Sequence, residues 1–145
     1  MDDHMQLPQN MEAFDVIRFA FEERFEHDLG RIIAHENNIP LLVSPNVIIK
    51  GPHGKASGGD FTQMTETIYQ MIIHEYISIK GLPLMESMII GDDYEAIMQG
   101  IRKYAAQIVG IYEGKGLPGK LEKQSDEEGT TTFLQRFFAK DRRRS

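Results

Sequence analysis

With 145 residues, 41% of them hydrophobic and 26% charged, the chain has the size and balance of a single domain with a modest core. It contains no cysteine, which excludes disulfides and thiolate metal sites and fits an intracellular setting, and no apolar run approaches the ~20 residues that span a bilayer. A net charge of −6 argues against a dedicated nucleic-acid-binding module, and Met1-Asp2-Asp3-His4-Met5 has neither the basic start nor the apolar segment of a signal peptide.

Taken in chain order, residues 8–28 read as one helix. Pro8 suits a first turn, and Met11, Phe14, Ile17, Phe21 and Phe25 recur at helical spacing until Gly30 breaks the run. A short helical or irregular stretch leads to Asn38-Ile39-Pro40. Leu41-Leu42-Val43 and Val47-Ile48-Ile49 then read as two short strands around a Ser44-Pro45-Asn46 turn. The glycines and proline of residues 51–59 make a loop. A long helix is expected over residues 60–79, with Phe61, Met64, Ile68, Met71, Ile72 and Tyr76 as its apolar stripe, widened by Ile73 and Ile77.

Gly81-Leu82-Pro83 ends that helix. Residues 86–90 and 94–98 read as the arms of a hairpin bent at Gly91-Asp92-Asp93. A further helix is expected from Glu95 or Gln99 to Tyr112, with Ile101, Tyr104, Ala105, Ile108 and Tyr112 turned to a core. Gly114, Gly116, Pro118 and Gly119 form a loop, and residues 130–138 read as a strand or hairpin. The pattern predicts an α+β fold, with helices packed on one face of an antiparallel sheet.

Charge is uneven along the chain. Glu12, Asp15, Glu22, Glu23, Glu26 and Asp28 read as a solvated helix face. The basic end, Lys140-Asp141-Arg142-Arg143-Arg144, reads either as an RNA contact or as an exposed terminus.

The chemistry concentrates at two places. Gly91-Asp92-Asp93 follows the apolar pair Ile89-Ile90 and offers two carboxylates at a strand-to-turn junction, the kind of oxygen ligand that hard divalent cations take. Taken alone it is also a common turn. The loop from Gly54 through Ser57, Gly58 and Gly59 opens a helix whose free N–H groups and positive dipole end suit a phosphate or an RNA backbone. Thr62 and Glu66 lie four apart on one face of that helix, where a hydroxyl and a carboxylate can read a ribose; Glu66 as an ordinary cap or paired side chain is the alternative. Gly51-Pro52-His53-Gly54-Lys55-Ala56-Ser57 is not a P-loop: four residues do not separate its glycines, and no Ser or Thr directly follows Lys55. His4, His27, His35, His53 and His74 lack metal-ligand spacing and read as surface or hydrogen-bonded core residues.

Together these segments resemble the palm motifs of viral RNA-dependent RNA polymerases. Ser57-Gly58-x-x-x-Thr62-x-x-x-Glu66, within residues 54–78, is similar to motif B, and Gly91-Asp92-Asp93, about thirty-five residues later within 86–98, is similar to motif C. Motif B usually carries Asn where this chain has Glu66. An acidic residue followed by Ser or Thr, here Glu66-Thr67, resembles the double-stranded-RNA virus branch, picobirnavirus and partitivirus polymerases above all. Asp2, within residues 1–5, resembles the second aspartate of motif A, which selects ribose. Lys123, at the end of residues 99–124, resembles the motif D lysine, and Thr132-Phe133-Leu134-Gln135-Arg136, within 130–138, resembles motif E beside the primer.

The resemblance thus covers residues 1–145 as a single palm segment and implies two-metal nucleotidyl transfer onto an RNA 3′ end. It implies Mg2+ or Mn2+ on Asp92 and Asp93, and Lys123 as general acid toward pyrophosphate, an ordinary surface lysine being its alternative. Ser57, Gly58, Thr62, Glu66, Asp2 and Arg136 would contact nucleotide or RNA. Alternation along an extended chain gives Asp92 the metals and Asp93 the periphery. The first motif A aspartate would fall before Met1, and the fingers motifs and most of the thumb are missing. The expectation is therefore a palm fragment, inactive alone, that works with fingers and thumb on template, primer and NTPs, in host cytoplasm or virion interior. The other class of reading is a non-catalytic α+β binding domain with a fortuitous Gly-Asp-Asp turn.

Overall fold

The computed structural model describes residues 5–54, 59 and 61–117, and the backbone of 130–133 and 136–139. Four helices and three β-hairpins follow one another in these residues: α1 (Leu7–Arg18), α2 (Glu26–Glu36), the hairpin of β1 (Leu41–Ser44) and β2 (Val47–Ile49), α3 (Thr62–Ile79), the hairpin of β3 (Leu84–Ile90) and β4 (Asp93–Met98), α4 (Ile101–Gly114), and the hairpin of β5 (Thr130–Phe133) and β6 (Arg136–Ala139). Every strand pair is antiparallel, and each hairpin is its own two-stranded sheet. The fold is α+β, as the pattern of apolar residues predicts.

The long first helix expected over residues 8–28 is two helices. Pro8 opens α1, which buries Ala13, Phe14 and Ile17 and stops at Arg18. The backbone then tightens through Phe19 N–H to Val16 O, Ala20 N–H to Ile17 O and Phe21 N–H to Arg18 O. Charge explains the break. Continued as helix, Glu22, Glu23 and Glu26 would crowd carboxylates at a C-terminal end, where the dipole disfavours them. Restarted after a short 3-10 turn at Glu23–Phe25, the chain places Glu26 and Asp28 in the first turn of α2, where the dipole favours them. The reversal also brings Leu29 and Ile33 against Phe14 and Ile17 in a compact apolar cluster. Phe21 and Phe25 are exposed, not part of that stripe. Gly30 lies inside α2 instead of ending it, because the buried Leu29 and Ile33 on either side hold the helix through it.

Helix α3 is the centre of the molecule. With α1 and α4 it encloses the main core, which includes Met5, Ala13, Tyr69, Ile73, Ile77, Met98 and Ile108. Its buried line is Thr65, Tyr69, Ile73 and Ile77, so the expected stripe is turned by about a residue: Met64, Met71 and Tyr76 are exposed. Two polar residues hold the inner positions without an unmet hydrogen bond. Thr65 Oγ1 lies 2.9 Å from Phe61 O and 3.1 Å from Thr62 O, and Tyr69 OH donates to Lys115 O at 3.2 Å.

The first hairpin forms where two short strands are expected, pairing Leu41 with Ile49 and Leu42 with Ile48, but Ser44 ends β1 opposite Val47, so only Pro45 and Asn46 form its turn. The second pairs Ile90 with Asp93, so Asp93 begins β4 and only Gly91 and Asp92 form the bend. β4 continues to Met98, and Gly100 separates it from α4, which therefore starts at Ile101 and not at Glu95 or Gln99. The β5–β6 hairpin stands where a terminal strand or hairpin is expected, and β5 approaches β4.

Candidate active site

Gly91 turns the β3–β4 hairpin with φ +57°, a left-handed conformation that L side chains adopt only with strain. A side chain there would also meet α3: a Cβ would lie 3.6 Å from Glu66 Oε2 and 3.8 Å from Gln63 Cγ. The bend is thus seated directly on the helix. Gly91 N–H donates to Thr67 Oγ1 at 2.8 Å, and Gln70 Nε2 donates to the Asp92 carbonyl at 3.3 Å. Thr67 Oγ1 in turn lies 2.7 Å from Gln63 O.

A second set of polar groups stands behind this contact. Tyr112 OH of α4 donates to Gln70 Oε1 at 2.8 Å, and His74 Nδ1 of α3 meets Tyr94 OH of β4 at 3.0 Å with the rings edge to face. Burial, and secondarily the Glu95 carboxylate, pushes the Tyr94 hydroxyl up to about 12. Burial, and secondarily Tyr94, raises Tyr112 further. Both phenols therefore stay protonated and able to donate at neutral pH.

Both Asp92 and Asp93 are exposed. The alternation argument applies to them differently than expected, because Asp92 belongs to the bend and not to a strand. From Asp93 onward alternation does hold. Tyr94 reaches α3 and Met98 enters the core, so Asp93, Glu95 and Ile97 share the opposite face of β4. Oxygen donors of this kind fit a hard cation such as Mg2+, which takes one or two protein carboxylates and completes its shell with phosphate oxygens and water. Among the described residues no cluster of three or more His, Asp or Glu side chains that could enclose a metal is present.

Of the other residues singled out by sequence, Thr62 opens α3 and Glu66 follows one turn later, both half-buried, with Glu66 beside the Gly91 bend. Arg136 begins β6 opposite Phe133; its side chain, together with Asp2, Ser57, Gly58 and Lys123, lies outside the described residues. The lead-in to two of these is visible. Gly54 packs so closely on the Met5 carbonyl and Gln6 Cα that a Cβ would overlap them, which brings the start of the 54–59 loop beside the residues that follow Asp2. His53 anchors this approach from the core, as a hydrogen-bonded buried histidine: its ring nitrogens face Gly54 O at 2.6 Å and Ile39 O at 2.8 Å, and its N–H donates to Asn37 O at 3.0 Å.

Sequence reasoning did not single out Gln70, Tyr112, His74 or Tyr94 for the site. A signal for the helix part exists: Gln63, Thr67, Gln70 and His74 form a polar stripe at four-, three- and four-residue spacing along α3.

The class of protein whose fold this chain resembles is the viral RNA-dependent RNA polymerase. The crystal structure of the polymerase of a human picobirnavirus matches 92% of this chain at 26% identity with a TM-score of 0.78. Its insertion-loop deletion mutant matches the same 92% at 26% identity with a TM-score of 0.79. The chain spans about a quarter, 26%, of each of those structures. No family model and no curated protein matches it. The chain is a polymerase-like segment, similar to picobirnavirus polymerases in fold and in sequence.

Proposed function

We propose that this chain is the palm segment of an RNA-directed RNA polymerase that adds NTPs to an RNA 3′ end. The observation that carries the reading is the Gly91-Asp92-Asp93 bend seated on the helix that holds Thr62, Glu66, Thr67 and Gln70. The likeness of nearly the whole chain to picobirnavirus polymerases supports it. A fortuitous turn on a non-catalytic binding domain is not favoured, because it gives no reason for a helix to gather three polar side chains on the bend.

In this reading Asp92 and Asp93 would hold Mg2+ or Mn2+, and such an ion would supply stabilisation of developing oxygen charge. Ser57 and Gly58 meet phosphate or RNA backbone, while Asp2, Thr62 and Glu66 read the ribose of the incoming NTP. The RNA 3′-hydroxyl gives up its proton to solvent and bonds to the α-phosphate as the α–β phosphoanhydride bond breaks, and Lys123 gives a proton to the departing pyrophosphate, a contribution worth roughly 10²–10⁴-fold. Arg136 contacts the primer strand. Fingers and thumb cover faces that are apolar and exposed here, among them Leu42 and Ile48 on the first hairpin and Met85 and Ile97 on the second. The setting is viral, in host cytoplasm or virion interior. No helix among the described residues is long and apolar enough to cross a membrane.

Primer extension tests this. In a full-length polymerase carrying this segment, Asp92→Ala abolishes synthesis, and retained synthesis would contradict the metal role. The chain by itself, a quarter of the length of its structural neighbours, does not extend primers. Robust extension by the isolated chain would overturn that part.

A further inference from the structure

The backbone of the Gly91–Asp92 bend is gripped from α3 by groups that form a directed chain, while Asp92 and Asp93 are exposed. Thr67 Oγ1 lies 2.7 Å from Gln63 O, to which its hydroxyl hydrogen is given, and so presents lone pairs to Gly91 N–H. Gln70 is held at both ends: the Asp92 carbonyl, which only accepts, takes its NH2, and Tyr112 OH donates to its oxygen. Glu66 reaches the same bend from the preceding turn of the helix.

The two peptide groups fixed in this way are those of Gly91 and Asp92, from which the Asp92 side chain hangs and to which Asp93 is joined. A rotation of either peptide would swing both carboxylates. Thr67, Gln70 and Tyr112 carry no charge, and their polar atoms are engaged in these hydrogen bonds. We propose that they are positioning residues, which set the divalent-cation affinity of the Asp92–Asp93 pair by fixing the peptide units that carry it. This rests on the reading of the doublet as a metal site. Partners that orient metal ligands are commonly worth 10–100-fold in affinity.

The test uses the full 145-residue chain, 15N-labelled and titrated with Mn2+ alone, with broadening of the Gly91-to-Tyr94 amide signals as the readout. Asp92→Asn reports on the underlying site, and broadening that survives it unchanged overturns the metal site and the inference with it. If Asp92→Asn removes the broadening, Thr67→Val and Tyr112→Phe are each expected to weaken Mn2+ binding by about 10-fold, while Thr67→Ser, which keeps the hydroxyl, restores it. A merely structural role would lower the melting temperature and leave the Mn2+ affinity where it was. Wild-type affinity in both Thr67→Val and Tyr112→Phe, with Asp92→Asn silent, overturns the positioning role while leaving the metal site standing. Tyr112→Phe removes one oxygen and keeps the ring in place, so it decides the matter even where Thr67→Val fails to fold.

Discussion

At the scale of the residue, glycine carries opposite meanings at two positions of this chain. Gly91 is required by its φ of +57°, which strains any L side chain, although a Cβ there would make only ordinary contacts with Glu66 and Gln63. Gly30 is not required. It lies inside α2 with no atom within 4 Å of where a Cβ would stand. Gly30→Ala is therefore expected to stabilise the protein by about 0.4–1 kcal/mol, read as a higher denaturant midpoint at unchanged slope; an unchanged or lower midpoint would show that this part of α2 is not helical. From sequence, Gly30 reads as a breaker and Gly91 as a turn. The difference lies in neighbours: Leu29 and Ile33 bury against Phe14 and Ile17 and hold the helix through Gly30, and that burial depends on a chain reversal which local residues do not announce.

At the scale of the element, the hairpins and the two later helices are legible because turn residues and apolar runs mark them locally. The strands around Ser44-Pro45-Asn46 and the arms around Gly91 need no distant partner to be recognised. The rotation of α3 is less legible, since its inner line contains Thr65 and Tyr69, whose hydroxyls are satisfied by the backbone of residues 61 and 62 and by Lys115. A stripe read from hydrophobicity puts Met71 inside and leaves those two out. The structure gives the reverse, and the energies follow. Ile73→Ala, at a fully buried position, is expected to cost about 2–5 kcal/mol, while Met71→Ala, at a side chain 53% exposed, stays within about 0.5 kcal/mol. Urea unfolding of the two variants checks this, and equal losses would restore the hydrophobicity-read stripe.

At the scale of the whole molecule, the site is a junction between α3, α4 and the β3–β4 hairpin, and only part of it can be read one element at a time. Asp92 and Asp93 are conspicuous in sequence because a carboxylate doublet after an apolar run is chemically distinctive. Gln70 and Tyr112 are not, being forty-two residues apart in the chain and meeting only through the packing of two helices. The placement of the two aspartates also depends on the fold, since the register closes the hairpin with Asp92 in the bend and Asp93 already on β4. What unites these pieces is the proposed task of holding two oxygen ligands at the exposed end of a hairpin while a helix fixes the backbone beneath them. The most direct measurement is an anomalous difference map from crystals of this chain grown with Mn2+ and an NTP. A peak about 2.0–2.2 Å from an Asp92 carboxylate oxygen, with Asp93 alongside, is the expected result. A map with Mn2+ elsewhere and none at the Gly91–Asp93 bend would contradict it.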